Sequence, residues 1–150
     1  MARLRAAISL APGSAEPYYW LALVCLQHRR LDEALAAIGQ ARRATPSSLA
    51  RGLEAAILAA HGKRDQARAI ARDLRASSAW VDPIIFSRIY LELGDTEKSL
   101  EYLGRSIDER SPLPLYARID PLYARVRTHR RFRELIAQLH LPAAQSAAVT

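Results

Sequence analysis

Residues that could bind a metal or catalyse a reaction are few in this sequence, and their spacing is unproductive. The histidines are His28, His61, His129 and His140. None has a second histidine four residues away, the spacing that brings two imidazoles onto one face of a helix to hold zinc. The Gly-Lys pair in AHGKRD lacks the other glycine and the Ser or Thr of a phosphate-binding loop. We therefore expect no metal site, no cofactor and no catalytic residue, and so not an enzyme.

The carboxylates and the single cysteine have structural explanations. Seven carboxylates lie near the starts of predicted helices or on their polar faces, where the helix dipole and solvation explain them: Asp32, Glu33, Asp95, Glu97, Glu101, Asp108 and Glu109. Cys25 lies in the apolar run LALVCLQ, where a cysteine behaves as a small buried hydrophobe. One cysteine cannot form an intrachain disulfide, and the sequence has neither a signal peptide nor a stretch apolar enough to span a bilayer. We expect a cytoplasmic protein that is not embedded in a membrane.

The net charge of +7 comes from 22 Lys and Arg against 15 Asp and Glu, with arginines scattered along the whole chain. The densest group is Arg125, Arg127, Arg130, Arg131 and Arg133. Neighbouring cations of this kind could contact successive phosphates. No base-reading helix or interleaved stacking aromatics accompany them, so we favour a solvated surface over a nucleic-acid site.

The composition predicts an all-α domain. Half of the 150 residues are apolar and a quarter are charged, which is typical of one globular domain. Alanine, leucine and arginine dominate, and these are strong helix formers. Few runs of β-branched residues interrupt them, so strands are not expected.

One helical pattern returns along the chain. RRLDEALAAIGQARRATP at 29–46 is imitated by GKRDQARAIARDLRASSA at 62–79 and by GDTEKSLEYLGRSIDERSP at 94–112. Each follows another amphipathic segment, which predicts tandem helical hairpins. The expected organisation is a half repeat at 1–14, hairpins at about 15–47, 48–79 and 80–112, a capping segment at 113–141 with a helix capped by Thr128, and a flexible tail at 142–150.

The first hairpin carries a family resemblance. Its signature positions are filled by Tyr18, Leu21, Ala22, Cys25, Ala34, Ile38, Ala41 and Pro46. This pattern, with a period of about 34 residues, resembles the tetratricopeptide repeat, although Cys25 replaces its bulky aromatic. The resemblance implies a right-handed α-solenoid of antiparallel hairpins closed by a C-terminal capping helix. Small residues should lie where the two helices of each hairpin cross: Ala22 and Ala34, Ala56 and Ala67, Ser87 and Ser99.

In that family the first helices line a concave wall that holds a partner. The matching positions here are Tyr19, Leu23, Leu26, Leu53, Ile57, Ala60, Ile84, Arg88 and Leu91. Because nearly all are apolar, we expect a non-catalytic protein–protein interaction module that binds a peptide, a helix or a sister domain. Aspartate at Leu53 and Ile57 should then abolish binding without unfolding the array. The family's clamp for a C-terminal carboxylate uses asparagines and lysines, and this chain has no asparagine.

The segment DPLYARVRTHRRFRELIAQL suggests an alternative function. It resembles the closing segment that follows tetratricopeptide repeats in bacterial regulators, including winged-helix transcriptional activators and adenylate cyclases. The chain would then be the C-terminal regulatory region of a longer protein. In agreement, LRAAISLAPGS resembles the second helix of a repeat without its first helix, which suggests a fragment.

This half repeat generates a prediction. Leu4, Ile8 and Leu10 should lack a hairpin partner, so fusing a designed first helix before Ala2 should raise the melting temperature by covering them. A Gly-Ser extension of equal length is the control. Equal melting of both fusions, with a monomeric parent, would contradict the half-repeat interpretation.

Overall fold

The computed structural model describes residues 2–139, and in that range the chain is helical with no strand. The all-α prediction is confirmed. The predicted tail at 142–150 lies outside the described residues, as does the end of the capping segment. The α-helices are α1 (Ala2–Leu10), α2 (Ala15–Gln27), α3 (Leu31–Ala44), α4 (Ser48–Ala60), α5 (Arg64–Ala76), α6 (Pro83–Glu92), α7 (Thr96–Asp108) and α8 (Arg130–Gln138), and two 3₁₀ helices, Leu113–Tyr116 and Pro121–Val126, lie between α7 and α8.

The helices pack as consecutive hairpins. α2 packs on α3, α4 on α5, and α6 on α7, while α3–α4 and α4–α6 contacts join each hairpin to the next. Two hairpin turns use Gly62 (φ 86°) and Gly94 (φ 80°), because a helix that ends in the left-handed conformation favours glycine. The turn after α2 instead uses Arg29 (φ 57°), which a contact with α6 holds in place.

Side-chain caps begin several of the helices. The Ser47 Oγ accepts from the Ala50 amide at 3.1 Å, and the Asp95 carboxylate accepts from the Lys98 amide at 3.1 Å. Ser14 occupies the N-cap position of α2 but makes no side-chain capping bond. α6 begins at Pro83 behind Asp82, because proline suits the first turn of a helix. The last helix begins behind His129 rather than Thr128.

The predicted crossing residues are all fully buried. The exposed fraction is 0% for Ala22, Ala34, Ala56, Ala67, Ser87 and Ser99. Larger side chains at these positions would separate the two helices of a hairpin, since protein interiors are close-packed. The repeat pattern therefore corresponds to the packing of the array.

The C-terminal segment packs against the third hairpin. Tyr123 from the second 3₁₀ helix and Phe132 from α8 have stacked rings with centroids 5.8 Å apart, and both belong to the core that includes Leu100 and Leu103 of α7. A Cβ added at Gly104 would lie 3.3 Å from Leu135, so α8 approaches α7 closely.

At the other end, α1 packs on α2 and is only partly covered. Leu4 and Ile8 are half-buried, while Leu10 is 87% exposed.

Two helical glycines should respond oppositely to alanine. At Gly52 in α4, a Cβ would overlap the Cγ2 methyl of Ile85 on α6, so Gly52→Ala should destabilise the array by about 1–3 kcal/mol. At Gly39 in α3, the nearest atom is 3.8 Å away in the flexible side chain of Arg43, so Gly39→Ala should stabilise by up to about 1 kcal/mol through helix propensity. Urea unfolding measures both. Stabilisation by both variants would contradict the close α4–α6 approach.

Candidate functional site

A groove with a cavity volume of about 860 Å³ runs along α2. One wall consists of α2 residues that share a helical face, namely Glu16, Tyr19, Trp20, Leu23 and Gln27. The three- and four-residue intervals between them place their side chains in one stripe. The stripe is largely apolar, and Trp20 at its edge is 46% exposed.

The opposite wall comes from the C-terminal segment, which the sequence had indicated only as a cap. Leu113, Tyr116, Ile119 and Pro121 line the groove, and Tyr116 and Ile119 are 58% and 70% exposed. Prolines interrupt helix formation in this segment, so it crosses the array as short 3₁₀ helices. The signal that could have revealed this wall was the density of large apolar residues in SPLPLYARIDPLY, which exceeds what a solvated linker needs.

Arg88 and Asp120 contribute a charged pair to the lining of the groove. The Arg88 Nη2 lies 3.2 Å from Asp120 Oδ2, and its Nη1 donates to the Tyr19 hydroxyl at 3.4 Å. The Arg88 side chain is only 12% exposed, and its Nε has no acceptor among the described residues.

The surroundings of Tyr19 and Arg88 determine their protonation states. Burial raises the pKa of the Tyr19 hydroxyl more than the nearby Arg88 charge lowers it, so the hydroxyl stays protonated at neutral pH. Burial by itself lowers the pKa of Arg88, but Tyr19, Tyr123 and Asp120 together outweigh it and the pKa is raised. Arg88 therefore remains charged.

Comparison with known families agrees with the architecture. The tetratricopeptide repeat model matches residues 1–57, which cover α1 to α3 and most of α4. Residues 1–57 are therefore similar to tetratricopeptide repeats. No curated protein and no solved structure matches it.

In the helical array the predicted partner-binding residues divide into two groups. Tyr19, Leu23 and Arg88 line the groove. The others are buried in the core with exposed fractions of 0–3%: Leu26, Leu53, Ile57, Ile84 and Leu91. Ala60 is half-buried beside the core.

The expectation that those five residues form an exposed wall is therefore wrong. α4 packs against both α2 and α6, and the apolar side chains of these first helices fill the spaces between them. Aspartate at Leu53 or Ile57 would place a carboxylate in the core, which costs several kcal/mol. Such variants would unfold the array rather than test binding.

Buried hydroxyls attach the second groove wall to the third repeat. The Ser87 and Ser99 hydroxyls are hydrogen-bonded at 3.2 Å, and the Tyr123 hydroxyl bonds Ser87 at 2.8 Å. All three residues are fully buried. Tyr123 thus fixes the second 3₁₀ helix directly after the groove residues Ile119 and Asp120.

Two buried carboxylates add further attachments. The Glu92 side chain, 1% exposed, accepts from Arg29 at 2.9 Å and from Arg125 at 2.6 Å. It therefore joins the first hairpin turn, α6 and the C-terminal segment. Asp82 accepts from the Ser106 hydroxyl at 2.6 Å and also from the Ser111 hydroxyl, immediately before the groove wall begins.

The arginine cluster is largely paired within the chain. Arg125 binds Glu92, Arg130 binds Glu134 at 2.7 Å, and Arg131 lies 3.6 Å from Glu97. Arg127 donates to the Asp120 carbonyl oxygen. These pairings reduce the positive charge available for successive phosphates.

The other residues that could bind a metal or catalyse a reaction lie apart from one another. His61 lies 2.9 Å from Asp32, and His129 lies 3.6 Å from Glu97. Between residues 2 and 139, no three His, Cys, Asp or Glu side chains come together as a metal site would require. Over the same range, no helix has the length and apolar character needed to cross a membrane.

The buried tyrosine generates a pH prediction. Burial raises the pKa of the Tyr123 hydroxyl to about 12 in the folded protein. In the unfolded chain the same hydroxyl should ionise near pH 10. The contribution of the protonated Tyr123 hydroxyl to stability is fully present below about pH 10. It is lost as the pH rises through about 12, which lowers the free energy of unfolding by about 3 kcal/mol. Tyr123→Phe should lose about 1 kcal/mol at pH 8 but avoid this alkaline loss. Urea unfolding from pH 8 to 11 measures the difference between wild type and variant, and a difference that does not change with pH would contradict the assignment.

Proposed function

We propose that this chain is a non-catalytic interaction module that holds a peptide, a helix or a sister domain in the groove between α2 and the C-terminal segment. Tetratricopeptide repeats generally mediate protein–protein interaction. The observation that carries the proposal is that Trp20, Tyr116 and Ile119 are large, exposed and lining the same cavity. Contiguous apolar surface of this kind is a mark of binding sites.

The dimensions of the groove support a peptide-sized occupant. The α2 wall runs from Glu16 to Gln27, which corresponds to about 16 Å along a helix. That length accommodates about three turns of a partner helix, the scale on which apolar anchors recur in helix-in-groove recognition.

The chemistry of the lining favours a protein over a polyanion. The charged lining residues are Glu16, Arg88 and Asp120, and the last two form a pair. The arginine cluster at 125–133 contributes none of the lining residues. We therefore propose apolar contact, rather than counterion release, as the main source of affinity.

The proposal retains the alternative of a larger parent protein. If the chain is the regulatory region of a winged-helix activator or an adenylate cyclase, the occupant is a sister domain and the same groove is used. The cytoplasmic location expected from the sequence belongs to the proposal in both cases.

The groove is tested by a matched pair of substitutions. Ile119→Asp should reduce partner recovery in a pull-down from bacterial lysate at least about tenfold, because an apolar contact worth about 1.5–3 kcal/mol is lost. Leu115→Asp is the control, since Leu115 is exposed in the same segment but does not line the groove. Neither change should lower the melting temperature.

The same pull-down distinguishes a polyanion partner. Binding that survives Ile119→Asp but disappears in high salt and with Arg130→Ala and Arg131→Ala would overturn the groove as the binding site.

A further inference from the structure

We propose that the groove recognises an acidic side chain of its partner, whose carboxylate binds Arg88 between apolar side chains that pack on Trp20 and Ile119. This inference rests on the proposed function and adds the chemistry of the occupant: an amphipathic protein segment with an Asp or Glu inside its apolar stripe.

The first support is that Arg88 is poorly satisfied. Its contacts with Asp120 and Tyr19 measure 3.2 and 3.4 Å, and its Nε lacks an acceptor within the described part of the chain. Glu92, the other carboxylate that is both buried and paired with arginine, approaches its partners more closely, at 2.9 Å for Arg29 and 2.6 Å for Arg125, whereas an exposed pair such as Arg51–Asp73 lies at 3.3 Å. A charge-assisted bond is normally about 2.7–2.9 Å. Arg88 is thus a nearly buried cation with donors to spare.

A second hydrogen bond restrains the Asp120 side chain. Its Oδ1 accepts from the Leu122 amide at 2.9 Å and so caps the second 3₁₀ helix. Its carbonyl oxygen accepts from Arg127 at 3.3 Å. Because the bond to the Leu122 amide competes with Arg88 for the Asp120 carboxylate, a carboxylate from the groove is a further acceptor that Arg88 can use.

Tyr19 adds a second donor. Its hydroxyl oxygen accepts from Arg88 at 3.4 Å, so the hydroxyl proton remains able to donate to another acceptor. A carboxylate at Arg88 would accept from the guanidinium and from this hydroxyl together. Two donors of this kind orient an anion more specifically than a single point charge does.

Among the described lining residues that carry a charge, Arg88 is the one cation, beside Glu16 and Asp120, so a carboxylate in the groove has to bind the guanidinium directly. The net charge of +7 attracts acidic partners at long range. Glu16, which accepts from the Trp20 indole at 3.4 Å, disfavours an anion on the α2 side. Asp120 beside Arg88 repels a doubly charged phosphate more than a singly charged carboxylate.

The test is a selection from a random peptide library displayed on phage, run in parallel against wild type, Arg88→Gln and Arg72→Gln. Arg72 is the matched control because it is exposed on α5 and does not line the groove. We expect wild type and Arg72→Gln to enrich peptides with an Asp or Glu between apolar residues. Arg88→Gln should lose the acidic preference.

A selected peptide then allows a double-mutant cycle. Arg88→Gln, or Asp→Asn in the peptide, should each weaken binding by about 10- to 100-fold in fluorescence polarisation, and both together little more than one. Arg88→Lys should recover only part of the affinity, because lysine lacks the planar fork. If Arg88→Gln lowers the melting temperature, the Asp→Asn peptide on wild-type protein decides the question alone.

The outcomes separate this inference from the proposed function. Selected peptides that lack an acidic residue, or bind Arg88→Gln equally well, yet lose binding to Ile119→Asp would overturn the carboxylate site and leave the groove intact. If no peptide is selected on wild type, or if the selected peptides bind Ile119→Asp as tightly as wild type, both the carboxylate site and the groove as the binding site would be overturned.

Discussion

The hydrogen bond between the Tyr123 and Ser87 hydroxyls is the contact on which the groove depends. It lies fully buried where the two helices of the third hairpin cross, and it is shared with Ser99. A buried hydroxyl without a partner costs about 1–3 kcal/mol, so each of these three groups constrains the other two. The C-terminal segment therefore cannot leave the array without exposing or orphaning polar groups inside it.

Further hydrogen bonds and ion pairs connect this contact to the groove and to the first hairpin. Tyr123 fixes the second 3₁₀ helix, and Asp120 caps that helix while it pairs with Arg88. On the other side, Glu92 joins Arg125 of the same segment to Arg29 in the turn of the first hairpin. The segment after the third repeat is thus linked, through Glu92 of α6, to a hairpin turn more than ninety positions earlier in the sequence. It completes the groove as well as closing the solenoid.

The features that the sequence predicted correctly are those that the local periodicity of apolar residues controls. The helical hairpins follow from spacings of a few residues between apolar side chains. The sequence did not predict that Leu53 and Ile57 are buried, because their burial depends on how far the first helices of neighbouring hairpins cover one another. The wall formed by Tyr116 and Ile119 was missed for a similar reason: prolines indicated where the helix stops, but not where the following chain crosses the array.

The irregular third repeat has a physical explanation in the structure. Alanines occupy the crossing positions of the first two hairpins, whereas the third has Ser87 and Ser99. Two serines of this kind would be unfavourable inside an array, where the next repeat offers only apolar side chains. They become favourable when a hydroxyl such as that of Tyr123 arrives from a segment that is not another repeat. The substitution of serine for alanine therefore marks the repeat on which the array ends, and the same change that weakens the repeat pattern in the sequence fixes the second wall of the groove.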